Sequence, residues 1–112
     1  SLDAATAQQL KQAGTHAFAI WHPSLSYYAR DYGLHQLSVG QESKEISIAT
    51  LKSIIDEAKA DSVRVFFFQK EYDSRQAENV NKEIGSRLVT INPLAADWEA
   101  ELQKITDELT KQ

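Results

Sequence analysis

With 112 residues, 42% of them hydrophobic and 25% charged, the chain has the make-up of one ordinary globular domain, long enough for a real core. A formal net charge of −4 leaves no basic stripe to neutralise phosphates, which argues against nucleic acid as a partner. Cysteine is absent, so disulfides and thiolate zinc sites are excluded, and no apolar run approaches membrane-spanning length. The opening Ser1-Leu2-Asp3-Ala4, without an initiator Met or a signal-peptide pattern, is expected of a mature or excised piece.

Leu2 to Ala13 reads as a helix leading into four short apolar runs that alternate with helical patterns. The first run, His16 to Trp21, ends at His22. A helix opens behind it at Pro23-Ser24, with Leu25, Tyr28, Ala29 and Tyr32 at helical spacing, and Gly33 is placed to stop it in a left-handed conformation. A brief second run, His35 to Val39, ends at Gly40 and is followed by the charged connection Gln41 to Glu45. Ser47 is the expected N-cap of a helix burying Ile48, Leu51, Ile54, Ile55 and Ala58. Val63 to Phe68 is almost continuously apolar, which suits a central parallel strand covered on both faces. Asp73 with Gln76 resembles a capping box for a helix that buries Ala77, Val80 and Ile84 and stops at Gly85. The fourth strand, Arg87 to Ile91, closes at Asn92-Pro93, and the last helix starts near Asp97 with Trp98, Leu102, Ile105 and Leu109 facing inward.

Strands alternating with helices across short turns predict an α/β fold. The expected form is a four-stranded parallel sheet with helices on both faces, flavodoxin-like βα repeats in the order 2-1-3-4 with right-handed crossovers. Such sheets bind ligands at the carboxyl ends of their strands, at the switch point in strand order. His22 ends strand one, Gln69 ends strand three with Glu71 and Asp73 just beyond, and Asn92 ends strand four. One imidazole with several oxygen donors is a partial metal site, because tight binding takes three or four strong ligands. Each residue also has a plainer reading. His22 is placed to cap the following helix, Asp73 to cap the next one, and Glu71 to sit solvated in a loop. Gln69 either binds metal or orients a ligand. Trp21 points to the face opposite His22 and packs under a helix. His16 and His35 begin their strands, at the edge away from the site, and read as surface residues. No glycine-rich phosphate loop follows strand one, and there is no nucleophile elbow or close acid–base pair, so an enzyme is not expected.

The segment His22-Pro23-Ser24-Leu25-Ser26-Tyr27-Tyr28-Ala29-Arg30-Asp31-Tyr32-Gly33-Leu34 resembles His-Pro/Asp-Ala-Phe/Leu-x-Tyr-Phe-Ala-x-x-Tyr-Gly-Leu of the cluster A-I substrate-binding proteins, the extracytoplasmic receptors of zinc and manganese ABC importers. Glu45-Ile46-Ser47, Val65 to Gln69, Ala77 to Gly85 and Thr90-Ile91-Asn92-Pro93-Leu94 continue the likeness in order and spacing. The resemblance implies two α/β domains joined by a long rigid helix, with metal held in the cleft between them. Residues 1–15 would then be the remnant of the interdomain helix and its lead-in. Residues 16–112 would be the C-terminal metal-receptor domain, contributing half of the site. His22 falls on that domain's metal ligand, where histidine is associated with the zinc-type members. Asn92 falls where the family places a carboxylate; an amide brings no charge, so affinity falls or Glu71 or Asp73 compensates. Gln69 sits where many members have Glu. The implied cargo is zinc or manganese, with no catalytic cofactor. The implied partners are the N-terminal domain of the same parent and an ABC permease, and the implied location is the periplasm or, as a lipoprotein, the surface of a bacterium. A receptor for a metal chelate such as haem or a siderophore is the alternative, with Arg30 and Arg75 as its modest anchors.

Overall fold

The computed structural model describes residues 3–40, 46–70 and 74–111. Helix α1 is Ala4–Ala13. The Asp3 carboxylate caps it by accepting from the Ala5 and Thr6 amides, and Gly14, at φ 72°, ends it in the left-handed region that glycine tolerates. The remaining elements follow as β1 (Ala17–Ile20), α2 (Ser26–Asp31), β2 (His35–Ser38), α3 (Ile48–Ala60), β3 (Val65–Gln69), α4 (Ser74–Ile84), β4 (Arg87–Ile91) and α5 (Trp98–Thr110). The expected cap is found at Ser47, which accepts from the Thr50 amide; Asp97, near which the last helix is expected to start, proves to be its cap and accepts from the Ala100 amide. Asp73, Glu71 and the Gln41–Glu45 connection lie outside the described residues.

All four strands are parallel in the order β2-β1-β3-β4, as the alternation of strands and helices predicts. Alternation along the strands divides the core between two faces. Phe18, Ile20, Val65, Phe67, Val89 and Ile91 point to one face, where Leu10 of α1, Tyr28 and Ala29 of α2, and Ile105 and Leu109 of α5 cover them. Ala17, Ala19, Trp21 and Phe66 point to the other, beneath Ala58 of α3 and Ala77, Val80 and Ile84 of α4. Trp21 stacks on Phe66 with ring centroids 6.5 Å apart, opposite the His22 face as expected. Among the described residues no helix is long and apolar enough to cross a membrane.

Several boundaries and two orientations differ from the sequence pattern. The first strand drops His16 and Trp21, and the third shifts to end at Gln69. Helix α2 starts at Ser26 rather than Pro23-Ser24, because a tight turn occupies those positions. Ile48 and Trp98, expected to face inward, are 88% and 37% exposed. Each is the first residue of its helix, and a first turn that begins beyond the strand ends has no sheet beneath it to pack on.

Candidate metal centre

The carboxyl edge of the sheet is assembled by register. Ile20 pairs with Phe67, and the Trp21 amide still donates to the Phe67 carbonyl at 2.9 Å. Continuing that register two residues sets His22 opposite Gln69, which itself pairs with Ile91. His22 thus stands at the end of a central strand, between β1 and β3, where the strand order reverses. It is partly buried. Its carbonyl accepts from the Ser24 amide at 2.7 Å, closing a three-residue turn around Pro23, whose ring fixes the backbone angle such a turn needs.

The turn is tied to the neighbouring strand by Gln36 of β2. Its Oε1 accepts from the Leu25 amide at 3.1 Å, its Nε2 donates to Ser26 Oγ at 3.0 Å, and Ser26 Oγ donates to the Pro23 carbonyl at 3.2 Å. Helix α2 is in turn fixed to α5. Thr106 Oγ1 donates to the Leu102 carbonyl at 3.0 Å, so the Tyr28 hydroxyl donates to Thr106 at 2.6 Å. Burial pushes the Tyr28 phenol up to about 12, because the interior disfavours a phenolate.

The other predicted residues are placed less uniformly. Gln69 is buried at the end of β3. Asn92 is exposed, and its Oδ1 accepts from the Leu94 amide at 3.1 Å while its carbonyl accepts from Ala95, the turn that Asn followed by Pro favours. The Asn92 amide donates to Glu101 Oε2 at 2.7 Å, which brings a carboxylate from the first turn of α5 to the end of β4. Nothing in the spacing of the sequence marks Gln36 or Glu101. Arg30, the possible anchor for a chelate, lies with its guanidinium 4.8 Å over the Tyr27 ring. Among the described residues, three His, Asp or Glu side chains converge at one place only, His35–Glu57–Asp61, at the other end of the sheet. Among the described residues, the edge that holds His22 therefore brings one imidazole, the side-chain amides of Gln69 and Asn92 and, against the Asn92 backbone, the Glu101 carboxylate, a set short of the three or four convergent strong ligands that tight binding requires.

A parallel α/β lobe whose strand order reverses between β1 and β3 is an architecture that solute-binding protein domains share. The chain belongs to the ZnuA family, described as the periplasmic component A of zinc-uptake complexes, which matches residues 1–112. The cluster A-I resemblance of His22 to Leu34 thus holds over the whole chain, and the family is one of uptake components rather than enzymes. The chain is 31% identical to the zinc-binding lipoprotein AdcA of Streptococcus pneumoniae, over 99% of its own length and 21% of that protein. It is 34% identical to the high-affinity zinc uptake system protein ZnuA of Bacillus subtilis, over 75% of its own length and 27% of that protein. Among solved structures, a crystal structure of ZnuA superposes with a TM-score of 0.82 at 32% identity, over 94% of this chain and 41% of the other. The laminin-binding protein Lbp of Streptococcus pyogenes gives 0.81 at 26% identity, over 94% and 46%. The chain therefore spans about a fifth to a quarter of the length of these two curated relatives.

Proposed function

We propose that the chain is the C-terminal, metal-capturing domain of an extracytoplasmic zinc receptor that serves an ABC importer, with His22 as its zinc ligand. The position of His22 carries this reading: a partly buried imidazole on a pinned turn, at the switch point of a parallel sheet, in line with Gln69. Neutral imidazole coordinates zinc well, whereas manganese prefers carboxylate and carbonyl oxygen, so the ion is zinc. Gln69 orients the imidazole or the ion, Asn92 offers the oxygen lone pair its turn leaves over, and Glu71 belongs to the same set as a carboxylate. Glu101, at the Asn92 backbone, supplies some of the negative field the amide lacks.

Residues 1–15 form the end of an interdomain helix and its lead-in, and residues 16–112 the C-terminal domain. An N-terminal domain of the same parent supplies the remaining ligands. Exposed apolar residues support that arrangement. Among the described residues the large ones are Tyr27, Ile48, Leu94 and Trp98, and all four follow strand ends, on the edge that carries His22. Apolar groups gathered on one face mark an interface. Zinc capture then converges ligands from two lobes on a dehydrated ion, and the loaded receptor passes it to a permease. The periplasm, or the cell surface for a lipoprotein, is the place of work, in keeping with the family description and with AdcA.

Calorimetric titration of the full-length protein with zinc, with manganese and after His22→Ala tests the reading. We expect tight zinc binding, weaker manganese binding, and a loss of more than about 100-fold in zinc affinity in His22→Ala, since three or four strong ligands sustain tight binding. Unchanged zinc binding in the variant would overturn it.

A further inference from the structure

We infer a second, accessory site for a zinc-class divalent ion at the amino-terminal end of β2, formed by His35 and Glu57 and oriented by Asp61. It lies five residue steps along the parallel strands from His22, roughly 16 Å away, and shares no residue with the cleft.

Two elements, β2 and α3, fix the geometry. His35 is the first residue of an edge strand, and its amide donates to the His16 carbonyl at 2.8 Å. Glu57 stands in the last turn of α3, and Asp61 is that helix's C-cap, four residues on and on the same face. His35 Nε2 is 3.2 Å from Glu57 Oε2, close to the separation of two ligands that each lie about 2.0–2.1 Å from a tetrahedral zinc. On the far side of the ring, His35 Nδ1 meets Asp61 Oδ2 at 2.5 Å. A carboxylate holding one ring nitrogen while the other faces a metal position is the carboxylate–histidine–metal arrangement. It fixes the tautomer and makes the free nitrogen a better donor.

Charge points the same way. Glu57 and Asp61 put two negative charges at the negative end of the α3 dipole, with Lys59 as the basic residue of that turn. Acidic groups at a helix C-terminus are unfavourable, and a cation between His35 and Glu57 offsets both the pair and the dipole. One nitrogen and one carboxylate oxygen suit a zinc-class ion better than magnesium or calcium, which take oxygen alone. Two protein ligands leave the other positions to water, so the site is weak and exchanges its ion readily.

The chain has three histidines, His16, His22 and His35, so imidazole nitrogen resonances of a 15N-labelled sample report each one separately. The titration is made with zinc chloride on the His22→Ala variant, which removes the cleft ligand and makes the result independent of the proposed function. We expect the His35 Nε2 resonance to shift saturably while His16 stays in place. Glu57→Gln, an exposed and isosteric change checked by an unchanged amide spectrum, should weaken the response about 10-fold or more, and Asp61→Asn should weaken it with the shift still on Nε2. A His35 that does not respond to millimolar zinc, a response on Nδ1, or a titration unaltered by Glu57→Gln would each overturn the site.

Discussion

Gln36 pins the chain just after the His22 turn without being close to it in sequence. It accepts from the buried Leu25 amide and donates to Ser26, the two residues that carry the chain from the His22 turn into α2. Gln36→Ala leaves that amide without an acceptor, which costs about 1–3 kcal/mol. The expected result is a lower urea midpoint with an unchanged m-value, together with a roughly 10-fold weaker zinc affinity of the full-length protein, the loss usual for an orienting partner. Gln36→Glu keeps the acceptor and loses the donor, so it should fall between. A loss of stability with zinc affinity intact would show that the turn needs no such holding. At this scale the sequence is legible only in part. His22 is marked by an apolar run that ends in an imidazole before a Pro-Ser helix start, a local pattern. Gln36, Glu101 and Thr106 act through partners 10 to 11, 9 and 78 residues away, and no periodicity signals a side chain whose partner is set by tertiary packing.

Elements are more legible than residues, because period and punctuation are local. Strand alternation, the Ser47 cap and the glycine stops predict the types and order found. Periodicity fixes the angle of a residue around its helix, though not how far the helix overhangs the sheet, which is why the pattern alone turns Ile48 and Trp98 inward. Gly40 shows the same limit for a glycine. It reads as a strand stop, and its structural duty is a close approach to another strand. Its amide donates to the Trp21 carbonyl at 2.7 Å. A Cβ there would lie 2.5 Å from that oxygen and 2.8 Å from the indole. A glycine replaced where the alanine fits gains about 0.4–1 kcal/mol from the unfolded state. Gly40→Ala instead meets a backbone oxygen that is fixed by β1 and should lose about 1–3 kcal/mol. Urea denaturation decides by sign: a lower midpoint supports the contact, and a higher one would mean that Trp21 and the strand give way.

Across the whole molecule the open question is whether α1 is part of the domain or an appendage to it, and the contacts favour the first. Leu10 is buried with Ile105 and Leu109 of α5. Gln9 Nε2 donates to Asp107 Oδ1 and to Thr110 Oγ1, each at 2.9 Å, and Thr15 Oγ1 donates to the Leu109 carbonyl at 2.9 Å. Hydrogen bonds from Gln9 and Gln103 hold the Asp107 carboxyl below its usual range. A carboxylate whose folded pKa is depressed stabilises above its unfolded pKa and loses that contribution as pH falls, so acid loosens this seam, by little at so exposed a group. The apolar contact of Leu10 contributes more. Leu10→Ala should cost about 2–4 kcal/mol, a fall in Tm on the order of 10 °C for a chain of this size. An appendage would behave otherwise: the Tm would stay, and only the α1 amides would exchange faster. Calorimetry with amide exchange separates the two. If the Tm falls and α1 is protected along with the sheet, the joint between the proposed interdomain helix and this lobe is rigid. On the proposed reading, any movement on zinc binding is then taken up on the N-terminal side of α1, and the lobe that carries His22 would meet the ion already formed.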